Sequence, residues 1–499
     1  MKRNLVLTLS LSVAAWLVFA PSAVAGQQTL SASEKSYREA RKVLDAGIQA
    51  VGGLQALREV KDVTRNGSGT AYNQGQSLKP GAPYTTRPVK MTTITDLAGK
   101  RNHLELTTAF QGGLDVRILG VLKGDTVSSV NLITNVVTPL PTAVSTQKTV
   151  LRRDPAALLL TALSRADTLR SLGGGAITFA DSDGSQLALY FDPQTRLLTK
   201  YETLGDNPVL GDTLTEFVFS DYRRVGDAKL PFRVINRTAG ELVLDLEYSE
   251  IQVNSNPSDS VFEVPSGVEK AAATGPAATV EMTQLSDGVY LAGGSSHNSL
   301  VVVFNDHVLL VEGPQSDERS QAVMAKIAEV APGKPIRYLV STHYHYDHAS
   351  GIRGYIAAGA TIVSTAGDRS FIEKMAATPH TIKPDSLSLK PRKPVIETFT
   401  KKKVFSDGTH IVELYDVGPN SHVTEIVAAY LPKEKLIFVS DLFSIPISGP
   451  VPEASPTTRE FASKIKELGL QVERIAPAHG RVGTIADLNK ALGARAAAN

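Results

Sequence analysis

Cysteine is absent from the whole chain of 499 residues. Its absence excludes disulfide bonds, and it excludes lipid attachment through an N-terminal cysteine. A fold without covalent cross-links must be held by its apolar cores. The composition, with 42% hydrophobic and 20% charged residues, is that of a soluble globular protein.

The chain also has little excess charge of either sign, with a formal net charge of +2. Nothing in this balance argues for a polyanionic partner, so we do not expect nucleic-acid binding, although local clusters of charge leave that alternative open. Length sets a second bound, because 499 residues exceed one ordinary domain. Two domains are therefore predicted.

Long apolar runs are missing except near the N-terminus, so no later segment is a candidate for a transmembrane helix. Two basic residues precede an apolar stretch at residues 5–20, and a small-x-small motif ends at Ala25. This order is typical of a signal peptide, which we place at residues 1–25 with cleavage after Ala25. An uncleaved membrane anchor is the alternative, but the run is short and Pro21 follows it. Together with the missing cysteines, the signal predicts a periplasmic or secreted bacterial protein.

Residues 26–265 are predicted to form a predominantly antiparallel β domain. A helix from Ser31 to about Val51 opens it, because Ser31 and Glu34 have the spacing of a capping box. Apolar segments separated by turn residues follow, with a helical stretch near residues 155–171. We predict strands at residues 90–97, 103–108, 116–121, 126–132, 187–191, 197–204, 214–222, 232–236 and 242–253.

Residues 266–279 are mostly small or polar and are predicted to link the two domains. From residue 280 to residue 499, strand patterns alternate with helix patterns, which favours an α/β sandwich. The predicted segments include strands at residues 283–293, 336–340 and 395–399 and a final helix at residues 457–468.

The densest chemical signal is a set of three imidazoles and a carboxylate within six positions: His343, His345, Asp347 and His348. Imidazole nitrogen and carboxylate oxygen are ligands that Zn²⁺ and neighbouring first-row ions accept. On an extended run that enters a loop, His343 and His345 share one face while the other two turn elsewhere, so one segment can serve two metal positions. Polar strand-end residues without a metal are the alternative, and the density of the cluster argues against it.

Three more candidate ligands stand where loops follow strands. His422 follows a strand that ends at Val417, Asp441 ends the run 436–440, and His479 lies beside Gly480. Each alone is explained by capping of loop amides. A two-metal site, however, needs about two or three ligands more than one short segment supplies. We therefore include all three in the predicted site.

The motif His343-x-His345-x-Asp347-His348 resembles the HxHxDH signature of the metallo-β-lactamase-fold hydrolases, and the three later ligands follow in that family's order. The resemblance implies an αββα sandwich with two Zn²⁺ ions per chain. It assigns His343, His345 and His422 to the first metal and Asp347, His348 and His479 to the second, with Asp441 bridging. It also implies a metal-bound hydroxide nucleophile that Asp347, the predicted catalytic residue, orients.

Two positions depart from the family pattern. Glu312 stands, before Gly313 and Pro314, where an Asp-Gly or Asp-Thr-Gly motif is common, which changes the support of the metal loop without removing a ligand. Asp441 follows Ser440 where thioesterase-type members carry Gly-Asp, and many true β-lactamases of this fold have no Asp there. The presence of Asp441 therefore argues against antibiotic hydrolysis as the native role.

The remaining histidines of the second domain carry a weaker signal. His297 lies near the first turn of the predicted sheet, a region that supplies pocket residues in this family, and its role is left open. His307, His380 and His410 lie in no comparable motif and are predicted to occupy surface or turn positions. Loops near residues 379–394 and 443–456 are expected to form the pocket walls.

The second half of the β domain resembles the LolA-like lipoprotein-sorting half-barrels in its turn and strand-end motifs, among them Asp192-Pro193 and Leu230-Pro231-Phe232. The resemblance implies an apolar cavity that takes a lipid or acyl ligand. The alternative is a β domain that only packs against its neighbour.

These observations predict an exported dinuclear zinc-dependent hydrolase that cleaves an ester, lactone, thioester or amide-like small molecule. One alternative is a lipid- or acyl-binding periplasmic protein in which the metal domain is accessory. Another is an iron-loaded redox relative, and manganese is a further candidate metal, because ligand identity alone does not separate these ions. The sequence determines neither the substrate nor the oligomeric state.

Overall fold

The computed structural model describes residues 30–111, 114–271 and 278–493. The signal peptide predicted for residues 1–25 lies outside these ranges, as do residues 272–277 of the predicted linker. No helix within the described ranges is both long and apolar enough to cross a lipid bilayer.

The bounds of the elements in the described residues are as follows. The α-helices are α1 (Ala32–Ala50), α2 (Gly53–Glu59), α3 (Val144–Arg152), α4 (Leu158–Ser164), α5 (Asp317–Val330), α6 (Tyr346–Ala349), α7 (Ile352–Ala358), α8 (Arg369–Ala377), α9 (Ser386–Leu389), α10 (Pro456–Glu467) and α11 (Ile485–Ala491). The strands before residue 272 are β1 (Asp62–Tyr72), β2 (Thr86–Asp96), β3 (Arg101–Phe110), β4 (Leu114–Lys123), β5 (Thr126–Asn131), β6 (Val136–Pro139), β7 (Arg170–Gly173), β8 (Ala176–Ala180), β9 (Gln186–Phe191), β10 (Leu198–Asn207), β11 (Gly211–Val225), β12 (Ala228–Thr238), β13 (Glu241–Val253) and β14 (Glu269–Lys270). The strands after residue 278 are β15 (Glu281–Ser286), β16 (Val289–Gly293), β17 (Ser299–Val303), β18 (Val308–Val311), β19 (Ile336–Val340), β20 (Thr361–Thr365), β21 (Val395–Phe399), β22 (Lys402–Ser406), β23 (Ile411–Asp416), β24 (Val427–Leu431), β25 (Leu436–Phe438), β26 (Arg474–Ala476) and β27 (Gly483–Thr484). Short 3₁₀ helices lie at Pro141–Ala143, Ala166–Thr168 and Asp259–Phe262.

Within the described residues, the N-terminal strands form one sheet of fourteen, in the order β14-β6-β5-β4-β3-β2-β1-β13-β12-β11-β10-β9-β8-β7. Neighbouring strands are antiparallel except β14 and β6, which run parallel. The long strand β1 pairs with β13 and β2 in the middle of the sheet. This part of the chain is therefore largely β, as the sequence predicts.

The first helix begins where its capping pattern predicts. The side chain of Ser31 accepts a hydrogen bond from the backbone N–H of Glu34 at 3.2 Å. Ala40, Leu44 and Ile48 recur every four residues and are buried in a core with strands β8 to β11. The apolar stripe therefore fixes α1 on one face of the N-terminal sheet.

Predictions for the N-terminal part are wrong at residues 155–171 and 62–72, and the strands β6 and β8 are also missed. The helix predicted at residues 155–171 is only α4, because the chain joins the sheet again at the start of β7. No strand is predicted at residues 62–72, where β1 forms. Its Gly67 and Gly69 lower strand propensity, but a Cβ at Gly69 would lie 2.0 Å from the carbonyl oxygen of Asp245 on β13. The glycines that obscure the strand pattern are thus required by the close approach of the neighbouring strand.

After residue 278 two sheets stack on each other, one of seven strands, β15 to β21, and one of six, β22 to β27, in the described residues. Helices α5, α7 and α8 pack on the outer face of the first sheet. A second apolar core lies between the two sheets, and a third joins the outer face of the second sheet to α10 and α11. The layers are therefore αββα, as predicted.

Two segment predictions in this sandwich are wrong. The strand predicted at residues 283–293 is the hairpin of β15 and β16, because Asp287 and Gly288 form a tight turn with Gly288 at φ 65°. The helix predicted to be the last is followed by α11, which a capping box at Thr484 and Asp487 begins.

His307, His380 and His410, predicted to occupy surface or turn positions, lie in turns or loops, but they are buried, with exposures of only 7%, 3% and 8%. Their burial has local causes. His307 stacks on Phe304 with a ring-centroid distance of 4.8 Å, and Nδ1 of His380 lies 2.8 Å from Oδ1 of Asp206.

The contact of His380 belongs to a larger one between the N-terminal sheet and the sandwich, made by residues 206–212, here called the β10–β11 turn. Val209 at its tip is 2% exposed and lies in the same apolar core as α5 and α7. The carboxylate of Asp212 accepts hydrogen bonds from the backbone N–H groups of Thr381 and Ile382. This turn therefore anchors the sheet to the sandwich through both apolar and polar contacts.

Candidate metal centre

The predicted ligands come together because they all follow strand ends. The loop after β19 carries His343 and His345, and α6 carries Asp347 and His348. Strands β25 and β26 are parallel neighbours, so the residues that follow them, Asp441 and His479, lie at the same edge of their sheet. His422 lies in the loop after β23.

The seven residues fall into two groups of potential metal ligands. The ligand atoms of the first group lie within 4.8 Å of one another and belong to His343, His345, His422 and Asp441. The same spacing holds in the second group, which consists of His297, Asp347, His348 and His479. The structure thus brings the seven predicted ligands together and adds His297.

Asp441 lies between the two groups. Its Oδ2 is 3.0 Å from Nε2 of His348 and 3.3 Å from Nε2 of His422, and its Oδ1 is 3.2 Å from Nε2 of His479. One carboxylate therefore reaches imidazoles of both groups, which is the arrangement that a bridging ligand requires.

Four of the imidazoles are oriented by an acceptor outside the groups. The acceptors are Thr342 Oγ1 for His343 Nδ1 at 3.1 Å, the Ser77 carbonyl for His345 Nε2 at 2.9 Å, Glu312 Oε2 for His348 Nδ1 at 3.2 Å and the Ser296 carbonyl for His479 Nδ1 at 3.0 Å. An acceptor that holds the proton on one ring nitrogen leaves the lone pair of the other nitrogen facing the centre. The ring orientations thus suit metal ligation.

Glu312 contacts both the segment from Thr342 to His348 and the residue before Asp441. It is fully buried, and its Oε1 accepts hydrogen bonds from the hydroxyls of Thr342 at 2.5 Å and Ser440 at 2.6 Å, while Oε2 holds His348. The departure from the family pattern noted in the sequence therefore places a carboxylate directly behind a predicted ligand. A carboxylate behind a ligating imidazole raises the basicity of the ring.

Several of the atoms that face the centre lack hydrogen bonds. Among the described residues, four buried atoms that face the centre make no hydrogen bond: His343 Nε2, His345 Nδ1, His422 Nε2 and Asp441 Oδ1. The last two lie close to Asp441 Oδ2 and His479 Nε2, respectively, but without the geometry of a hydrogen bond. Leaving a buried polar group unpaired costs about 1–3 kcal/mol, so most are paired in native proteins. All four are nitrogen or oxygen atoms of the kind that bind divalent cations. The donor set therefore fits a divalent metal centre.

Burial keeps part of the first group uncharged. It lowers the pKa of His343 well below its ordinary value, and it lowers the pKa of His345 to about 3. Neighbouring imidazoles act in the same direction. Both rings are thus neutral at pH 7, and neutral imidazole is the form that binds a metal.

The second group contains opposed charges. Burial disfavours the charged form of His348, but the carboxylates of Asp441, Glu312 and Asp347 outweigh burial and raise the pKa of His348 well above its ordinary value. Burial by itself would raise the pKa of Asp441, but the adjacent His348 and His479 hold that pKa well below the usual range. Asp347 behaves likewise, since the charge of His348 outweighs burial and lowers its pKa. A cation in place of the imidazole proton would neutralise the same carboxylates.

His297, whose role the sequence leaves open, lies inside the centre. It is 6% exposed, its Nε2 is 3.3 Å from Oδ2 of Asp347, and its ring centroid is 4.1 Å from that of His479. Buried Arg319 donates to the carbonyl of His297, and the side chain of Asn298 donates to the carbonyl of Gly480. The only signal in the sequence is its place just before β17.

Two residues of the centre are missed entirely by the sequence analysis. Nε2 of Gln76 donates to Oδ1 of Asp347 at 2.6 Å, although 271 positions separate the two residues. The carbonyl of Ser77 accepts from His345, 268 positions away. Neither residue belongs to a motif, so only the folded chain reveals them.

Comparisons with known proteins show what the C-terminal part of the chain is similar to. Residues 292–479 match the family model of the metallo-beta-lactamase superfamily, and these residues include the seven predicted ligands and His297. This part of the chain, which is fewer than half of its residues, is therefore similar to the metallo-beta-lactamase superfamily.

Solved structures similar to the chain include the DIM-1 metallo-beta-lactamase, with 20% identity, coverage of 43% of this chain and 95% of that chain, and a TM-score of 0.33. A metallo-beta-lactamase from Pontibacter korlensis shares 21% identity, with coverage of 43% and 97% and a TM-score of 0.34. The metallo-beta-lactamase FIM-1 from Pseudomonas aeruginosa, in its mono-zinc form, shares 18% identity, with coverage of 43% and 93% and a TM-score of 0.32.

Proposed function

We propose that the protein is a dinuclear zinc-dependent hydrolase that cleaves an ester, lactone, thioester or amide-like small molecule. The observation that carries the proposal is the set of buried imidazole and carboxylate atoms that converge on the centre without hydrogen-bond partners in the described structure. In this proposal His343, His345 and His422 hold the first cation and Asp347, His348 and His479 the second, with Asp441 between them. The majority of imidazole ligands argues against manganese but suits both zinc and iron, so metal analysis has to separate these two.

Bound cations would supply Lewis acidity, which lowers the pKa of a coordinated water and polarises a substrate carbonyl. The protein's own part is to hold the reacting groups. Oδ1 of Asp347 accepts a hydrogen bond from Gln76, so Oδ2 is the oxygen left to face the centre and to orient the reacting groups there. Asp441 fixes the spacing of the two groups from between them.

Exposure indicates the side from which a substrate approaches. The side chains of His343, His345 and His348 are fully buried, whereas those of Asp347 and His479 are 39% and 33% exposed. We place the substrate on the side of Asp347 and His479, where the polar groups are accessible.

Metal analysis and a substrate panel test this proposal. The purified full chain is expected to contain about two zinc ions and to hydrolyse at least one member of a panel of chromogenic esters, lactones, thioesters and a cephalosporin. Chelation should abolish the activity and zinc should restore it. A metal-loaded protein that hydrolyses none of them would overturn the proposal, and bound iron with redox activity would favour the redox alternative.

A second candidate function rests on a cavity in the N-terminal part. The cavity has a volume of about 560 Å³; apolar side chains such as Leu57, Leu97 and Leu160 line it together with the basic Lys61 and Lys100. Apolar walls with basic groups suit a fatty-acyl anion, in keeping with the predicted likeness to LolA-like half-barrels. Titration with a fluorescent fatty acid tests this function, and Leu160→Arg is expected to abolish binding. Wild-type affinity in that variant would exclude the cavity as the site.

We also propose that the protein is exported to the periplasm or secreted. The proposal is supported by the apolar run at residues 5–20, the small-x-small motif that ends at Ala25, and the lack of cysteine. Cell fractionation and N-terminal sequencing test it, with Gly26 as the expected first residue of the mature chain. A cytoplasmic chain with its N-terminus intact would contradict it.

A further inference from the structure

We propose that the loop between β1 and β2 (residues 73–85, the β1–β2 loop) is a structural part of the metal centre. The proposal rests on the proposed metal-binding function of the sandwich. It assigns to the N-terminal sheet the task of orienting two ligands, one in each group. Gln76 and Ser77 are then positioning residues, which act on the metal through the ligands that they hold.

The loop is fixed on its own sheet. The backbone N–H of Asn73 donates to the carbonyl of Thr85 at 2.9 Å, which closes the base of the loop. The hydroxyl of Ser77, a residue that is only 1% exposed, accepts from the backbone N–H of Thr85 at 2.7 Å. Gln111, at the end of β3, accepts from the hydroxyl of Thr85 at 2.9 Å and donates to the carbonyl of Gln76. The loop therefore reaches the sandwich in one defined conformation.

Backbone groups of the loop contact both ligand segments of the sandwich. The carbonyl of Gly75 accepts from the backbone N–H of Tyr346 at 3.1 Å, directly before Asp347. The carbonyl of Leu78 accepts from the backbone N–H of Thr424 at 2.8 Å, two residues after His422.

The Ser77 carbonyl determines which ring nitrogen of neutral His345 carries the proton. It accepts a hydrogen bond from Nε2 at 2.9 Å and a second one from the hydroxyl of Tyr344. With the proton held on Nε2, Nδ1 carries the lone pair, and Nδ1 is the buried atom that lacks a partner in the described structure. The acceptor that prepares His345 for the first group is thus supplied by the N-terminal sheet.

Gln76 orients the carboxylate of Asp347. Its amide donates to Oδ1 at 2.6 Å, so the carboxylate cannot rotate freely, and Oδ2 faces His297 and His348 at 3.3 Å and 3.5 Å. Partners of this kind typically change metal affinity by about 10–100-fold when they are removed. Each group of ligands therefore depends on one residue of the loop.

The packing leaves the loop little freedom on the sandwich side. A Cβ added at Gly75 would lie 2.6 Å from the ring of Tyr346, so Gly75→Ala must displace the loop from the ligand segment. Gly205 on β10 provides a matched control, because a Cβ there meets no atom within 4 Å. For Gln76→Met, which keeps the length of the side chain but removes the donor, the control is Gln194→Met at an exposed turn.

The experiment is a metal titration of the full chain after chelation, with cobalt(II) followed by visible absorption and zinc followed by calorimetry. Wild type is expected to take up two ions. Gln76→Met should weaken one of the two binding steps by about 10–100-fold and leave the other within about threefold of wild type. Gly75→Ala should weaken both steps, and both controls should match wild type.

The outcomes separate the two proposals. A wild-type chain that binds no metal would refute the proposed function itself. A wild-type chain that binds two ions, together with a Gln76→Met variant that titrates identically, would refute the role of the loop alone. Equal weakening of both steps in folded Gln76→Met, with a thermal midpoint lowered before metal is added, would also refute it, because that result marks a general loss of stability.

Discussion

Two contacts between the N-terminal sheet and the sandwich differ in kind. The β10–β11 turn inserts Val209 into the apolar core and caps a loop through Asp212. The β1–β2 loop contributes no buried apolar core residue in the described structure and instead directs polar groups at His345 and Asp347. Apolar burial stabilises a docked arrangement without regard to direction, whereas hydrogen bonds fix geometry. The first contact therefore holds the two parts together, and the second adjusts the site.

Ligand variants set the upper limit for any effect at the centre. His422→Ala and Asp347→Ala each remove a predicted ligand, so bound metal and hydrolysis should fall together, by more than the roughly 100-fold limit typical of residues outside the coordination sphere. Metal content and kcat/KM measure the effect. His307→Ala, which removes a buried imidazole outside the centre, is the control. Full activity in either ligand variant would break the site as described.

Glu312→Gln tests a support from within the sandwich against the support from the loop. The variant keeps the size of the side chain but removes the charge next to Nδ1 of His348. We expect metal affinity to fall by about 10-fold at the position that contains His348, because the imidazole becomes less basic. Calorimetric titration beside Gln76→Met measures both. Equal affinity in wild type and Glu312→Gln would show that the carboxylate has no influence on the ligand.

Val209→Ala probes the anchoring contact. Removal of two methyl groups from a buried position should lower the free energy of unfolding by roughly 1–3 kcal/mol. Zinc stoichiometry of the folded variant should stay at the wild-type value. Urea unfolding and metal analysis measure the two quantities, and Val150→Ala, at a residue that is 52% exposed, serves as the control. A loss of metal without a loss of stability would reverse the roles of the two contacts.

Asp212→Asn should have the smallest effect, and one that depends on pH. The hydrogen bonds from Thr381 and Ile382 lower the pKa of Asp212 in the folded protein. A carboxyl with a depressed folded-state pKa contributes stability above its unfolded value of about 3.9 and loses this contribution as the pH falls through the folded-state pKa. The variant should therefore melt below wild type at pH 7, and the difference should shrink below about pH 4. A difference that grows in acid would contradict this account.

The proximity of the seven proposed ligands is predictable from the sequence because each of them carries a local signal. His343 to His348 are dense in ligand atoms, and His422, Asp441 and His479 each lie in a loop that follows a strand. Strand ends meet at an edge of a sheet whatever the details of packing, so the local signal is enough to predict that the residues meet. Their proximity, with ligand atoms within 4.8 Å in each group, agrees with that prediction.

The supports of those ligands are not predictable in the same way. Glu312 is visible in the sequence as a departure from a pattern, but its contact with His348 depends on how two strand ends meet. Gln76 and Ser77 lie in a polar loop after β1, a strand whose glycines obscure its sequence pattern. Their contact residues are about half of the chain length away in the sequence. Contacts between residues so far apart in the sequence depend on the arrangement of the whole fold, and no local sequence pattern predicts that arrangement.

The hydrogen bond between the Ser77 carbonyl and His345 also has a reciprocal meaning. If the loop tightens metal binding by some factor, thermodynamic linkage requires that bound metal tighten the seating of the loop by the same factor. Bound metal would then stabilise the contact between the N-terminal sheet and the sandwich, and removal of the metal would weaken this contact. Hydrogen exchange in residues 73–85 would consequently report on the metal content of a centre whose ligands lie more than 250 positions further along the chain.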